Sequence, residues 1–143
     1  MHRGVRLGLI LVGLIAALAA AATWATANRG EERRALPTLS GQFDGFIHPT
    51  SGRARLASDE AGGRTLVLRG FKTHPAPDLY IYLVPGGPKG GEIGGGTNLG
   101  RLKLIEGDQH YRVPAAFQSE RASVVIWCAV CEVPFGHAPL QAL

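Results

Sequence analysis

The two cysteines of the chain, Cys128 and Cys131, stand in one apolar stretch, Ser123-Val124-Val125-Ile126-Trp127-Cys128-Ala129-Val130-Cys131. Thiol, disulfide or thiolate–metal chemistry therefore has to be assembled on that stretch or beside it. Consecutive β-branched residues, then a tryptophan, with nothing polar between Val124 and Val130, read as a strand covered on both faces. In an extended strand, residues three apart point to opposite faces with Cα atoms about 10 Å apart, beyond the reach of a disulfide. The expectation is two free thiols and no internal bridge. A thioredoxin-like Cys-x-x-Cys needs its first cysteine at a helix N-terminus, and the β-branched flanks deny that helix. Read from these residues alone, Cys128 is a buried small hydrophobe beside Trp127, the ordinary place of a free cysteine.

Metal ligation is the next possibility, through His48, His74, His110 and His137. Cys131 and His137, separated by a loop containing Pro134-Phe135-Gly136, follow the Cys-loop-His order of blue-copper sites, and Gln141 stands where a weak axial ligand would. The spacing fits poorly, the only methionine is Met1, and scattered histidines in an exported domain are more often surface residues. Asp78, after Pro77, suits a turn cap at a strand entry. Asp108 and His110 share one face of a strand and read as a solvated edge. No nucleophile elbow, no phosphate-cradling glycine loop beside a lysine and no dense carboxylate cluster occurs, so hydrolase and nucleotide-binding readings fall away.

The elements that must position these residues are strands. Twenty glycines and nine prolines in 143 residues suit short strands joined by tight turns rather than a helical bundle. Leu79, Ile81 and Leu83 alternate with Tyr80 and Tyr82, and Thr65, Val67 and Arg69 with Leu66 and Leu68, the period of a sheet with one inner face. The strands expected are Gln42–His48, Gly52–Ala57, Arg64–Arg69, Asp78–Val84, Asn98–Lys103, Gln109–Val113 and Ser123–Cys131, with a closing piece at Ala138–Leu143. They make an all-β domain, an antiparallel β-sandwich or barrel of about seven to eight strands. Pro85 to Gly96, dense in glycine, reads as a mobile loop.

Ahead of this domain, Arg3 and Arg6 precede an uncharged apolar run from Leu7 to Trp24, long enough to cross a bilayer as a helix. Ala25-Thr26-Ala27 offers small residues of the kind signal peptidase reads. Residues 1–27 are thus a signal anchor, with a cleaved signal peptide and secretion after cleavage near Ala27 as the alternative. The positive flank places the rest of a single-pass protein outside the cytoplasm, at the cell membrane. Residues 28–39 are charged and contain Pro37, and read as a tether; the folded domain is 40–143. Of the net charge of +4, Arg3 and Arg6 supply half, and no basic block or aromatic–basic interleaving exists, which excludes nucleic acid as a partner.

Gly41-Gln42-Phe43, His48-Pro49-Thr50-Ser51-Gly52, Phe71-Lys72-Thr73, Pro77-Asp78-Leu79-Tyr80-Ile81-Tyr82-Leu83, Asn98-Leu99-Gly100-Arg101-Leu102-Lys103, Gly107-Asp108-Gln109-His110-Tyr111 and Val124-Val125-Ile126-Trp127-Cys128 occur in that order. In this the chain, over about Ser40 to Leu140, resembles the electron-transfer DM-thirteen domain family. The resemblance implies a β-sandwich-like module of membrane-anchored or secreted bacterial proteins, found in animals beside haem- or sugar-binding domains. It also implies a redox role for the cysteine after the tryptophan, here Cys128, as a thiol or a ligand, with Trp127 shaping its pocket. Haem or copper is implied by analogy only, so the cofactor stays open. Two departures stand out. Ala76 replaces a usual glycine before Pro77-Asp78, and Cys131 stands where an aromatic residue is common.

The reading is a membrane-tethered extracytoplasmic module with a redox or electron-transfer role centred on Cys128, rather than an enzyme with its own substrate. Its partners are the membrane, through residues 7–24, and a redox or envelope partner that the sequence does not name. The alternative is a non-catalytic binding or cell-envelope interaction module in which Cys128 is core.

Overall fold

The computed structural model describes residues 36–59, 61–87 and 90–143. The membrane segment expected over 7–24 and the cleavage site near Ala27 lie outside these, as does the tether up to Ala35. Among the described residues no helix is long and apolar enough to cross a membrane.

The described residues form nine strands, all antiparallel: β1 Leu39–Gln42, β2 Asp44–Gly45, β3 Ser51–Ser58, β4 Arg64–Lys72, β5 Leu79–Pro85, β6 Thr97–Arg101, β7 Gln109–Val113, β8 Ala122–Cys128 and β9 Val133–Ala142. Their order around the sheet is β6-β5-β8-β9-β1-β3-β4-β7, with β2 on β9. The period-two pattern is the reason for the elements: in β4, Leu66 and Leu68 are fully buried, and in β5 Leu79, Ile81 and Leu83 turn inward while Tyr80 and Tyr82 stay half-buried outside. These side chains join Leu56, Ile126, Phe71 and Tyr111 in one core enclosed by the curved sheet. Burying a side chain of this size stabilises the fold by about 1.5–3 kcal/mol.

The edges β6 and β7 do not pair along their length, and the segment between them nearly closes the barrel. Leu102 N–H donates to the Leu79 carbonyl, Thr73 N–H to that of Ile105 and Gly107 N–H to that of Phe71. Inside the remaining gap, the buried Gln109 amide stands in for a strand. It accepts from Leu104 N–H at 3.1 Å and donates to the Leu104 carbonyl at 2.9 Å, while the Tyr111 hydroxyl donates to its oxygen at 2.6 Å. Both Leu104 backbone groups thereby find partners in place of a neighbouring strand, each bond a net contribution of about 0.5–1.5 kcal/mol.

β8 is covered on both faces, as its composition requires. Val124, Ile126 and Cys128 face the core. On the other face, Ser123 and Val125 lie under the glycine-rich β5–β6 connection, which lines a small cavity of about 100 Å³ with them and His137. Within that connection, Gly87, Gly91, Glu92 and Gly94 lie against the barrel at this cavity. Gly91 is buried at φ +82, and a Cβ there would stand 2.7 Å from the Phe46 ring and 2.9 Å from Pro134, so only glycine admits the contact.

Several bounds differ from the sequence expectation. The strand expected over Gln42–His48 is split between the end of β1 and β2, which stops at Gly45, and the closing piece expected at Ala138–Leu143 begins already at Val133. Leu39, placed in the tether by composition, opens β1 and is fully buried; just before it, the Pro37 carbonyl accepts from the buried Arg64 guanidinium at 3.0 Å. β8 ends at Cys128, not at Cys131.

Candidate functional site

The end of β8 changes the chemistry of both cysteines. Past Cys128, the Ala129 N–H is captured by the Asp78 carbonyl at 2.9 Å, and the Glu132 N–H returns to the Cys128 carbonyl at 2.9 Å. Glu132 takes a left-handed φ of 57°, and Val130 is the exposed tip of the turn at 66%. The fold brings the two Cα atoms to 5.2 Å and joins Cys128 and Cys131 as a disulfide. The expectation of two free thiols is thus overturned: it presumed a regular strand through Val130, and a turn occupies those positions.

The two sulfurs are not equivalent. Cys128 is 0% exposed and belongs to the core cluster, between Leu79 of β5 and Val133 of β9. Cys131 is exposed, and its N–H donates to Cys128 Sγ at 3.2 Å. Trp127 is separated from the core sulfur. It is half-buried, outside the core cluster, and pairs with Tyr80 and Pro134 on the outer face.

Antiparallel pairing gathers four connections at the disulfide end of the barrel: 46–50, 73–78, 102–108 and 129–132. They are bonded into one surface. Phe46 N–H donates to the Phe135 carbonyl, Thr73 N–H to Ile105, and Ala129 N–H to Asp78. The buried Thr50 and Thr73 hydroxyls meet at 2.9 Å. Gly136 admits this packing, since a Cβ there would lie 2.5 Å from Thr50 Cβ. Ion pairs ring the same end: Arg101–Asp78 at 2.7 Å, Lys72–Glu106 at 3.3 Å and Arg69–Asp108 at 2.6 Å. Hydrogen bonds from Arg69 and the Gly70 N–H hold the Asp108 carboxyl below the usual carboxylate range.

The histidines are placed apart from the cysteines and from one another, with one exception. His48 and His74 stack at a ring separation of 5.0 Å on the wall of a groove of about 700 Å³, with the Phe135 ring 4.3 Å from that of His48. His110 lies exposed on β7. His137 pairs in register with Asp44 and Val125 and stacks on Phe46 at 4.6 Å. Gln141 pairs with Ser40, at the opposite end of the barrel. The Cys131–His137–Gln141 ligand set is therefore not assembled, and a bridged Cys131 is no thiolate donor. A haem or copper ligated by Cys128 does not fit the chain in this state either, because its sulfur is covalently engaged and sealed in the core. Among the described residues no group of three or more His, Cys, Asp and Glu side chains is placed to hold a metal.

Burial lowers the His137 pKa from its ordinary 6.5, opposed in part by Asp44. A histidine held below its ordinary value favours the folded state above that value and loses the contribution as pH falls through the folded-state pKa. The melting temperature is thus expected to drop on acidification below about pH 6.5, and His137→Gln to flatten that limb. An unchanged acid limb in the variant would assign it to other groups.

Sequence reasoning missed the apolar residues of this end. Of the large hydrophobic side chains left exposed among the described residues, Phe46 (42%), Ile47 (58%), Leu104 (49%), Ile105 (45%) and Val130 all lie in these four connections; the other, Leu143, is at the far terminus. Leu104-Ile105 between two charged residues, with Gly107 after them, was the signal available.

No curated protein and no solved structure matches the chain. A family model described as electron transfer DM13 matches residues 42–140, from the end of β1 to Leu140 near the end of β9, and so covers both cysteines and all four connections. The chain belongs to the electron transfer DM13 family.

Proposed function

We propose that the chain is a membrane-tethered, extracytoplasmic electron-transfer module whose redox centre is the Cys128–Cys131 pair. The observation that carries this reading is the asymmetry of the bridge: a core sulfur joined to an exposed one across a single turn. A disulfide stabilises a fold by restricting the unfolded chain, and the effect grows with loop length. For a loop of about four residues it is worth only about 2 kcal/mol, against about 4.7 for a hundred-residue loop. The bridge contributes little to holding the barrel, so it can open without unfolding it. An oxidising extracytoplasmic setting, expected from Arg3, Arg6 and the run to Trp24, is where such a bond forms and persists.

The step is thiol–disulfide exchange. A thiolate of a partner dithiol attacks the exposed Cys131 Sγ, the Sγ–Sγ bond breaks, and Cys128 leaves as a thiolate beside the Cys131 N–H and is then protonated. The second thiol of the partner loses its proton and attacks the partner's own sulfur in the mixed disulfide, and Cys131 leaves as a thiolate and takes up a proton. Two electrons and two protons have passed to the pair, and the partner leaves as a disulfide. The reverse sequence returns them.

A second reading, a binding or envelope-interaction module with the bridge as a staple, is favoured by the complete burial of Cys128. Titration of the native full chain with dithiothreitol separates the two. The redox reading expects the mass to rise reversibly by two hydrogens with circular dichroism unchanged. A bridge that opens only in denaturant would overturn it.

A further inference from the structure

We infer that the loop end of the barrel is the docking face for the exchange partner, a protein whose dithiol is framed by apolar side chains. This rests on the redox reading above. Val130 lies inside the bridged turn itself, exposed and next in the chain to Cys131. Asp78 links that turn to the 73–78 connection, and Thr73 links the connection in turn to Ile105. Phe46 and Ile47 continue the surface through Phe135. Monomeric proteins seldom concentrate their exposed apolar residues at one end without a partner for it. Redox encounters occupy the small, short-lived class of interfaces, which a few exposed apolar side chains at the end of the barrel that carries the reactive bond suit.

The charge pattern selects a protein over a lipid surface. Three acidic and three basic groups of this end are paired, Lys72–Glu106, Arg101–Asp78 and Arg69–Asp108, and the remaining charges, Lys103 in the 102–108 connection and Glu132 in the bridged turn, balance each other. A membrane-binding face carries a basic excess. The described chain also enters the barrel at the opposite end, where Leu39 pairs with Leu56 and Ala142.

The test measures reduction rates of the full chain by three probes: dithiothreitol, a dithiol peptide with leucines flanking Cys-x-x-Cys, and the same peptide with aspartates. The leucine peptide is expected to react about tenfold faster than the aspartate peptide, and the double variant Ile47→Asp/Ile105→Asp to abolish that preference while keeping the dithiothreitol rate. Leu104→Asp alone should diminish the preference too, which guards against a fold defect in the double variant. Equal rates for the two peptides on the unmodified chain, with dithiothreitol still reacting, would overturn the docking face and leave the redox reading standing. No reaction with dithiothreitol would remove both. Binding to phosphatidylcholine vesicles, or self-association, that the double variant abolishes without any peptide preference would reassign this end to lipid or to a second copy.

Discussion

Cys128→Ser is expected to accumulate mixed disulfides through Cys131 when the reduced chain meets an oxidised partner, whereas Cys131→Ser is expected to accumulate none. The argument is one of access. Exchange begins with a thiolate that can reach the other disulfide, and Cys131 is exposed while Cys128 is sealed at 0% exposure between β5 and β9. Without Cys128 no internal thiol resolves the adduct, so it persists on non-reducing gels; without Cys131 the adduct does not form. Both variants lose turnover. Trapping through Cys128 instead would mean that the turn opens before exchange, and equal absence of adducts from both would make the bridge a staple.

The second large effect is on stability, and it ranks the bridge against the core. Ile126→Ala is expected to cost about 2–5 kcal/mol, because Ile126 is fully buried between Ile81 and Gly136 and its removal leaves a cavity that the surrounding strands cannot close. Cys131→Ser, which opens the bridge at an exposed position, should cost about 2 kcal/mol at most. Denaturant titrations of the two variants check the order. If opening the bridge costs more than emptying the Ile126 site, the disulfide holds the barrel together, and the dithiol form cannot be a working state.

The rank of these effects follows from where each residue sits in the pairing. Ile126 lies mid-strand, with neighbours on both sides; the cysteines lie at the last rung, where Cys128 still pairs with Leu79 and Val133 but the following residues have left the sheet. A change at the rung's end alters one turn.

What the sequence by itself determined was the sheet and its inner face. Alternation such as Leu79-Tyr80-Ile81-Tyr82-Leu83 is a local property, because successive side chains of any strand point to opposite sides, and it placed β4, β5 and β7 and the double burial of β8. The ordered blocks from Gly41 to Cys128 were enough to identify the family. What only the tertiary structure decided was the state of the two cysteines and the surface around them. Whether Val124 to Cys131 runs as one strand depends on which carbonyl takes the Ala129 N–H, and that carbonyl belongs to Asp78, fifty-one positions earlier in the chain. Whether Phe46, Ile47, Leu104, Ile105 and Val130 share a surface likewise depends on strand order. Side-chain period says which face a residue takes; long-range backbone pairing says where a strand stops and which loops meet.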